Sequence, residues 1–186
     1  MITTIEKASD AIRKGARIIN EGGLVVFPTE TVYGLGANAF DESAVAKIFE
    51  AKGRPQDNPL IVHISSLEQV KDIAKDIPDK FYELASRFMP GPLTVILNKS
   101  DKIPYIVTAG GETVGIRMPN NKWARELIAN SKPLAAPSAN RSKHISPTTA
   151  QHVYEDLQGR VELILDDGPC GVGIESTVLE DRKSVV

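Results

Sequence analysis

The sequence predicts a layered domain of the α/β or mixed α+β class, and three observations support this prediction. Segments with the length and composition of strands alternate with segments whose apolar residues recur at helical spacing. Groups of glycine and proline, such as Gly22-Gly23, separate these segments. The 186 residues are 41% hydrophobic and 25% charged, which are ordinary globular proportions. This length suits one domain with one core better than two independent domains.

Helices are predicted where a capping residue precedes apolar side chains spaced three and four positions apart. The predicted helix starts are Ser9 or Asp10, Asp41, Ser66 with Gln69 as a capping box, the residues after Pro78, and Ser146 followed by Pro147. A further helix is predicted from the apolar stripe Trp123, Leu127 and Ile128. Gly22-Gly23 and Gly53 are expected to end the first two helices.

Strands are predicted where short apolar or alternating runs lie between turn residues. The predicted strands are 24–27, 60–64, 93–97, 113–118, 133–136, 161–165 and 177–179. In 113–118 the alternation puts Thr113 and Arg117 on the face opposite Ile116. We expect the polar segment 29–38 to be a loop with a glycine turn, and 183–186 to begin another strand.

Charge, cysteine content and hydropathy limit the kind of ligand, disulfide and membrane association that the chain can have. The net charge is −2 at pH 7, so an anionic ligand has to be held by a local cluster of cations. The single cysteine, Cys170, allows no intramolecular disulfide. The N-terminus has no apolar signal segment, and the apolar runs are too short to cross a bilayer. We therefore expect a cytoplasmic protein with no membrane association.

Several familiar active-site motifs are missing from the sequence. It contains no GxxxxGK[ST] loop, no HExxH and no GxSxG. The histidines His63, His144 and His152 are scattered and have no zinc-ligand spacing, so no metal site is predicted. The P-loop, metalloprotease and serine hydrolase classes are excluded on these grounds.

Four polar segments at the ends of predicted strands are the candidates for a site, since α/β sheets usually bind ligands there. They are 28–36, 52–59, 113–118 and 137–147. Lys52 alone could complement a helix dipole, but Lys52 together with Arg54 suits a polyphosphate, as a point charge beside a planar fork. Arg117 is equally consistent with solvent exposure or an ion pair to Asp or Glu and with a bound carboxylate.

The remaining polar residues also have two interpretations each. Ser138 and Asn140 can cradle phosphate or ribose oxygens with neutral donors. Ser146 is better explained as a helix N-cap than as a direct ligand contact, although one helix N-terminus can serve both roles. His63, which closes a predicted strand, reads most simply as a satisfied surface histidine.

In combination and in order, these segments resemble the YrdC-like family of threonylcarbamoyl-AMP synthases. The similar segments are PTETVYGLG, KGRP followed by DNPL, FMPGPLTVIL, TVGIRMP, APSANRS with SP, and GIESTVL. The resemblance covers nearly the whole chain. It implies a twisted, mixed open sheet flanked by helices, similar to DHBP synthase, with a concave basic ligand surface.

The resemblance also implies an activity and a set of site residues. Members of the family are nucleotidyltransferases that condense L-threonine, bicarbonate and ATP into L-threonylcarbamoyladenylate and pyrophosphate. The adenylate is then used for the t6A37 modification of tRNA. The residues expected to face ATP are Lys52, Arg54, Asn58, Thr113, Ser138, Asn140 and Ser146. Those expected to face threonine are Thr31, His63, Arg117, Ser176 and the backbone of Ala136.

The chemistry of that reaction is consistent with these residue types. Lys52, Arg54 and a Mg²⁺ ion would compensate the charge on the leaving pyrophosphate, and no protein nucleophile is required. Arg117 would fork onto the threonine carboxylate. The implied partners are a downstream tRNA threonylcarbamoyl transferase machinery and, weakly, RNA itself.

Two functions of other classes stay open on the sequence. A concave basic surface could accept double-stranded RNA, although the net charge of −2 weakens that reading. A carbamoyl-transfer domain of the hydrogenase-maturation type normally comes with acylphosphatase and zinc-finger segments that this sequence lacks. The family also has an arginine in an LRPG-like segment after STVL, and the sequence ends before one. We therefore expect 1–186 to be a single YrdC-like domain without its C-terminal end.

Overall fold

The computed structural model describes residues 1–171 and 176–180 of the chain, which form one mixed sheet flanked by helices. The strands are β1 (Thr4–Lys7), β2 (Val25–Phe27), β3 (Gly34–Asn38), β4 (Ile61–His63), β5 (Ala74–Lys75), β6 (Leu93–Lys99), β7 (Thr113–Arg117), β8 (Leu134–Ala136), β9 (Leu163–Asp166) and β10 (Thr177–Glu180). The helices are α1 (Ala8–Asn20), α2 (Glu42–Lys52), α3 (Val70–Ile73), α4 (Asp79–Phe88), α5 (Lys122–Ala129) and α6 (Ala150–Leu157).

The sheet mixes parallel and antiparallel pairs. Its order is β1-β9-β2-β3-β8-β4-β7-β6-β10, with β5 pairing β6 from off this path. The pairs β1–β9, β2–β9, β4–β7 and β6–β10 are parallel, and the others are antiparallel. The predicted mixed sheet with flanking helices is therefore confirmed.

Apolar residues on both faces of the sheet build two core clusters. On one face α1 and α5 pack over β2, β8 and β9. On the other face lie α2, α4 and α6. Strand β2 shows why the run Leu24 to Phe27 is apolar without alternation, because Val25 and Phe27 belong to one cluster and Leu24 and Val26 to the other. No helix in the described part of the chain has the length and apolar character needed to span a membrane.

Several predicted helix ends are confirmed in detail. The Asp41 carboxylate caps α2 by accepting from the Ala44 N–H at 3.1 Å. Gly53 ends that helix in the left-handed region, at φ 62°. Ser66 and Gln69 form the expected capping box, although it begins a 3₁₀ turn at Leu67–Gln69 that leads into the short α3.

Two predicted helix caps are wrong. Helix α1 follows directly on β1, so its N-cap is Lys7, and Ser9 and Asp10 lie inside the first turn. The sequence reading missed β1, and the cap was therefore placed too late. Ser146 caps no helix, because α6 begins only at Ala150, where the Thr149 hydroxyl accepts from the His152 N–H at 3.2 Å.

The residues directly after Ser146 do not begin a helix, because other parts of the chain bind their backbone. The Tyr33 N–H donates to the Pro147 carbonyl at 3.0 Å, and the Cys170 N–H donates to the Thr148 carbonyl at 2.8 Å. These long-range bonds compete with the first helical turn that Pro147 would otherwise begin. Residues 146–149 therefore lead into α6 without forming a helical turn of their own.

The predicted glycine loop is also wrong in part, because Gly34–Asn38 forms β3. It pairs with β2 and β8, and its glycines are required by packing against the Phe27 ring. A Cβ at Gly34 would lie 2.9 Å from the Phe27 Cζ, and a Cβ at Gly36 would lie 2.9 Å from its Cε1. The strand predicted at 183–186 lies outside the described residues.

Candidate functional site

A cleft of about 220 Å³ lies over one face of the sheet, where β4, β7 and β8 meet the loop after β2. Parallel pairing of β4 and β7 aligns His63 with Arg117, and antiparallel pairing of β8 sets Ala136 beside Ile61. All residues expected to face threonine line this cleft, together with Arg54 and Ser138 from the ATP set. These lining residues are Thr31, Arg54, His63, Arg117, Ala136, Ser138 and Ser176.

Arg117 is buried at the end of β7, with only 4% of its surface exposed. Its guanidinium donates from Nε to the Gly91 carbonyl at 3.3 Å and from Nη1 to the Thr31 hydroxyl at 3.2 Å. Nη2 makes an ion pair with Glu30. The interpretation as an ion pair is therefore confirmed and solvent exposure is wrong, whereas binding of a substrate carboxylate stays a prediction.

Burial lowers the pKa of Arg117 from its ordinary value, and the adjacent Glu30 carboxylate opposes this shift by favouring the charged form. An arginine stays protonated in either case. The second Glu30 oxygen accepts from the Asn120 N–H, so Glu30 joins the loop after β2 to the turn between β7 and α5. Sequence reasoning did not select Glu30 as a site residue, because nothing in the local pattern shows its distant partner.

The loop that carries Thr31 is fixed by the hydroxyl of Thr29. That oxygen accepts from the N–H groups of Thr31 and Val32 at 3.1 and 3.2 Å, and lies 3.0 Å from the Thr31 hydroxyl. Thr29 also lines the cleft and is 4% exposed. This hydroxyl turn places the Thr31 side chain against Arg117, and Thr29 is a second residue that sequence reasoning missed.

His63 is buried within the cleft wall, so its interpretation as a surface histidine is wrong. Its Nδ1 lies 3.2 Å from the Ile61 carbonyl, which can only accept, so Nδ1 carries the proton and Nε2 the lone pair. Burial, and secondly the charge of Arg117, lower the pKa of His63 to about 3. The edge-on Phe27 ring, 5.6 Å away between centroids, contributes to that burial. His63 is therefore a neutral hydrogen-bonding group near pH 7.

Ser176 reaches the cleft from the segment that leads into β10. Its hydroxyl lies 3.0 Å from the hydroxyl of Thr94, a buried residue of β6 that sequence reasoning also missed. Residues 172–175, which include the first three residues of the GIESTVL segment, lie outside the described residues.

Lys52, Ser138 and Asn140 form one hydrogen-bonded network next to the cleft. Lys52 ends α2 with 2% exposure, and its Nζ donates to the Ser138 carbonyl. The Ser138 hydroxyl donates to the Asn140 Oδ1 at 2.6 Å. The Asn140 amide donates in turn to the carbonyls of Arg141 and His144 at 2.7 and 2.8 Å. The structure thus brings together these three residues of the expected ATP set.

Arg54 lines the cleft immediately beyond the end of α2. Its guanidinium lies 5.5 Å from the centre of the Phe49 ring, an arrangement that favours the cation. Its buried Nε has no hydrogen-bond partner among the described residues. A buried donor without an acceptor costs about 1–3 kcal/mol. An anionic ligand would satisfy it.

Three further residues expected to face ATP lie neither on the lining of the cleft nor in the network of Lys52, Ser138 and Asn140. Asn58 is exposed in the turn next to Pro59, which does line it. Thr113 is exposed at the far end of β7, roughly 13 Å from Arg117 by strand rise. Ser146 is half-buried in the segment that precedes α6. Their contacts with ATP stay predictions.

The described residues contain no group of three or more His, Cys, Asp or Glu side chains that could hold a metal ion. The half-buried Cys170 lies near Thr29, and burial raises the pKa of its thiol to about 11. A thiol with this pKa is protonated near pH 7, which suits a packing role better than a nucleophilic one.

Comparison with known proteins identifies relatives over nearly the whole chain. The model of the Sua5/YciO/YrdC family, described as telomere recombination, matches residues 17–185. The threonylcarbamoyl-AMP synthase of Pyrococcus abyssi is 57% identical over 170 residues, which cover 91% of this chain and 50% of that protein. The Bacillus subtilis synthase is 55% identical over 170 residues, with 90% and 49% covered. The chain thus spans about half the length of these curated relatives.

Solved structures agree with the sequence relatives. A structure of Pyrococcus abyssi Sua5 with two substitutions matches with a TM-score of 0.96 at 52% identity, covering 99% of this chain and 58% of that one. Pyrococcus abyssi Sua5 complexed with L-threonine matches with a TM-score of 0.92 at 53% identity, covering 99% and 55%. Escherichia coli YciO, at 21% identity with 98% and 89% covered and a TM-score of 0.80, shows the shared fold alone. The predicted resemblance is confirmed, and the chain belongs to the Sua5/YciO/YrdC family.

Proposed function

We propose that this chain carries the threonine- and nucleotide-binding domain of an enzyme that makes L-threonylcarbamoyladenylate from L-threonine, bicarbonate and ATP, with release of pyrophosphate. The observation that carries the proposal is the cleft itself, where the buried Arg117 and the unpartnered donor of Arg54 lie on a common lining. Support comes from relatives named threonylcarbamoyl-AMP synthase and from the similar Sua5 described as complexed with L-threonine.

Threonine recognition follows from the hydrogen-bonding groups of the cleft. Of the five guanidinium N–H donors of Arg117, three reach partners on Gly91, Thr31 and Glu30. Two remain for a carboxylate. The lone pair of His63 and the hydroxyl of Ser176 can bind the hydroxyl or amine of the amino acid. We expect the Ala136 backbone to supply a further contact, since it ends β8 in the cleft wall.

The reaction needs a carboxylated amine next to the α-phosphorus of ATP. The threonine nitrogen bonds to the carbon of bicarbonate, water leaves, and an N-carboxylate forms. An oxygen of that group then bonds to the α-phosphorus while the bond to pyrophosphate breaks. With a pKa of about 3, His63 is too weak a base to hold the amine proton near pH 7, so it serves as a positioning residue.

Charge on the departing pyrophosphate would be met by Arg54 and Lys52. Arg54 is placed for this through its unpartnered Nε at the cleft. Lys52 is held at the Ser138 carbonyl, so we expect its ammonium to share that bond with a phosphate oxygen. Mg²⁺ would be held by the triphosphate oxygens rather than by protein carboxylates, and would supply further charge compensation. Asn58, Thr113, Asn140 and Ser146 complete the nucleotide contacts that we propose.

The test is pyrophosphate release by purified full-length protein, measured with each substrate omitted in turn. We expect release only when ATP, threonine and bicarbonate are all present, with an adenylate product that contains threonine. Release that is independent of threonine would overturn the proposal. Serine and valine serve as matched substrates, since each lacks one group of threonine.

The proposal extends to the setting of the reaction. Its product would be consumed by a tRNA threonylcarbamoyl transferase machinery, and the location that we propose is the cytoplasm, where ATP and tRNA are present. We propose RNA contact only as a weak interaction, because the net charge is −2. Neither alternative function is favoured. The structural likeness to a HypF, at 22% identity with a TM-score of 0.77, covers 91% of this chain and 27% of that one and concerns the fold alone.

A further inference from the structure

Two cations line the cleft, and its described lining contains no acidic side chain. Arg54 and Arg117 both line it, whereas His63 is neutral near pH 7. The proposed reaction brings bicarbonate, triphosphate and pyrophosphate to the same place. An uncompensated buried guanidinium attracts every one of these anions, because Coulomb attraction depends on charge rather than on shape. A threonine site therefore needs a way to prefer a zwitterion.

Glu30 compensates the charge of Arg117 from outside the cleft lining. Its side chain is 18% exposed, against 5% for that of Arg117. One oxygen binds the Arg117 Nη2 and the other accepts from the Asn120 N–H. The pair is electroneutral, and Nη1 turns towards Thr31, which lines the cleft. The donors offered to a carboxylate thus belong to a neutral pair rather than to an isolated cation.

We propose that Glu30 is a specificity-determining residue that makes the amino-acid subsite select zwitterionic α-amino acids over anions of the same shape. The inference rests on the proposed function. A zwitterion carries its own ammonium, which the Glu30 carboxylate attracts while Arg117 binds the carboxylate. An anion without an amine gains only the attraction of its carboxylate to Arg117, and Glu30 repels it.

The test compares threonine with its 2-hydroxy analogue, 2,3-dihydroxybutyrate of matching configuration, by calorimetric titration of the full-length protein. The wild type is expected to prefer threonine. In Glu30→Gln the amide oxygen can still accept one bond, but the charge is gone. We expect the preference for threonine to fall by about tenfold or more, and pyrophosphate to bind more tightly. The exposed Glu83→Gln removes the same charge far from the pair and should leave the preference unchanged.

The outcomes separate this inference from the function on which it rests. If the wild type binds no threonine, the proposed function fails. If it binds threonine but Glu30→Gln keeps the wild-type preference, only the role of Glu30 is refuted. If Glu30→Gln does not fold, Glu30→Asp decides, because it keeps the charge with a shorter side chain. For Glu30→Asp, weaker threonine binding with the preference retained supports the inference, and loss of the preference in that variant overturns it.

Discussion

Replacement of Arg117 by methionine should destabilise the fold through Glu30 as well as abolish threonine binding. Both side chains are largely buried, at 5% and 18% exposure. Removal of one partner of such a pair costs about 3–5 kcal/mol, because the other charge stays buried without compensation. The partial exposure of Glu30 lets water reach its carboxylate, so we expect the lower end, about 3 kcal/mol.

The double variant Arg117→Met/Glu30→Gln separates the two roles of Arg117. With both charges removed no buried ion is left, so we expect it to lose only about 1 kcal/mol relative to the wild type, about 2 kcal/mol less than Arg117→Met loses. Urea unfolding gives these free energies, and calorimetric titration measures threonine binding, which should be absent in both variants. The exposed pair of Lys102 and Asp72 is the control, and Lys102→Met should cost less than about 1 kcal/mol. A double variant no more stable than Arg117→Met, or one that still binds threonine, would refute the reasoning.

Three further predictions concern other parts of the cleft and its support. Arg54→Met should reduce pyrophosphate release by about 100-fold or more with little change in urea unfolding, since Nε has no internal bond to lose among the described residues; unfolding instead would make Arg54 structural. Gly36→Ala should cost about 1–3 kcal/mol in the same urea assay, because its Cβ would meet the Phe27 ring at 2.9 Å, and Phe27→Leu should recover part of the loss. For His63 the folded pKa of about 3 lies below the unfolded value of 6.5, so only the unfolded chain gains a proton between these values. Stability should therefore be undiminished above pH 6.5 and fall as the pH decreases towards 3, whereas His63→Gln should lack this slope; parallel curves for the two proteins would contradict it.

Local rules predicted those elements whose ends depend on neighbouring residues. The Asp41 cap, the Gly53 stop and the capping box at Ser66 each involve groups within a few positions of one another, and each is confirmed. The wrong predictions concern residues whose conformation is set by contacts with a distant strand or loop. Ser146 caps no helix because the Tyr33 N–H donates to the carbonyl of the next residue, Pro147. Gly36 lies in a strand because it pairs with β2, and it has to be glycine because Phe27 fills the space beside it.

The candidate site shows the same division between local and distant information. Strand alternation grouped Arg117 with polar residues, and pairing of β4 with β7 then aligned it with His63, which no local pattern could indicate. The sequence resemblance supplied Thr31 and Ser176, which the structure sets on the same cleft. Glu30 was missed because its partner lies 87 positions away, and only the folded chain brings the two charges together.

Ser138 lies where the threonine and nucleotide parts of the proposed site meet. Its carbonyl accepts from Lys52, its hydroxyl donates to Asn140, and its residue lines the cleft beside Ala136. The backbone before it is fixed as well, since the Leu35 N–H donates to the Pro137 carbonyl at 2.9 Å. We expect a phosphate oxygen to share the Lys52 ammonium with this carbonyl. We therefore expect the binding of nucleotide and of threonine to be energetically coupled, because Ser138 binds Lys52 and also lines the cleft.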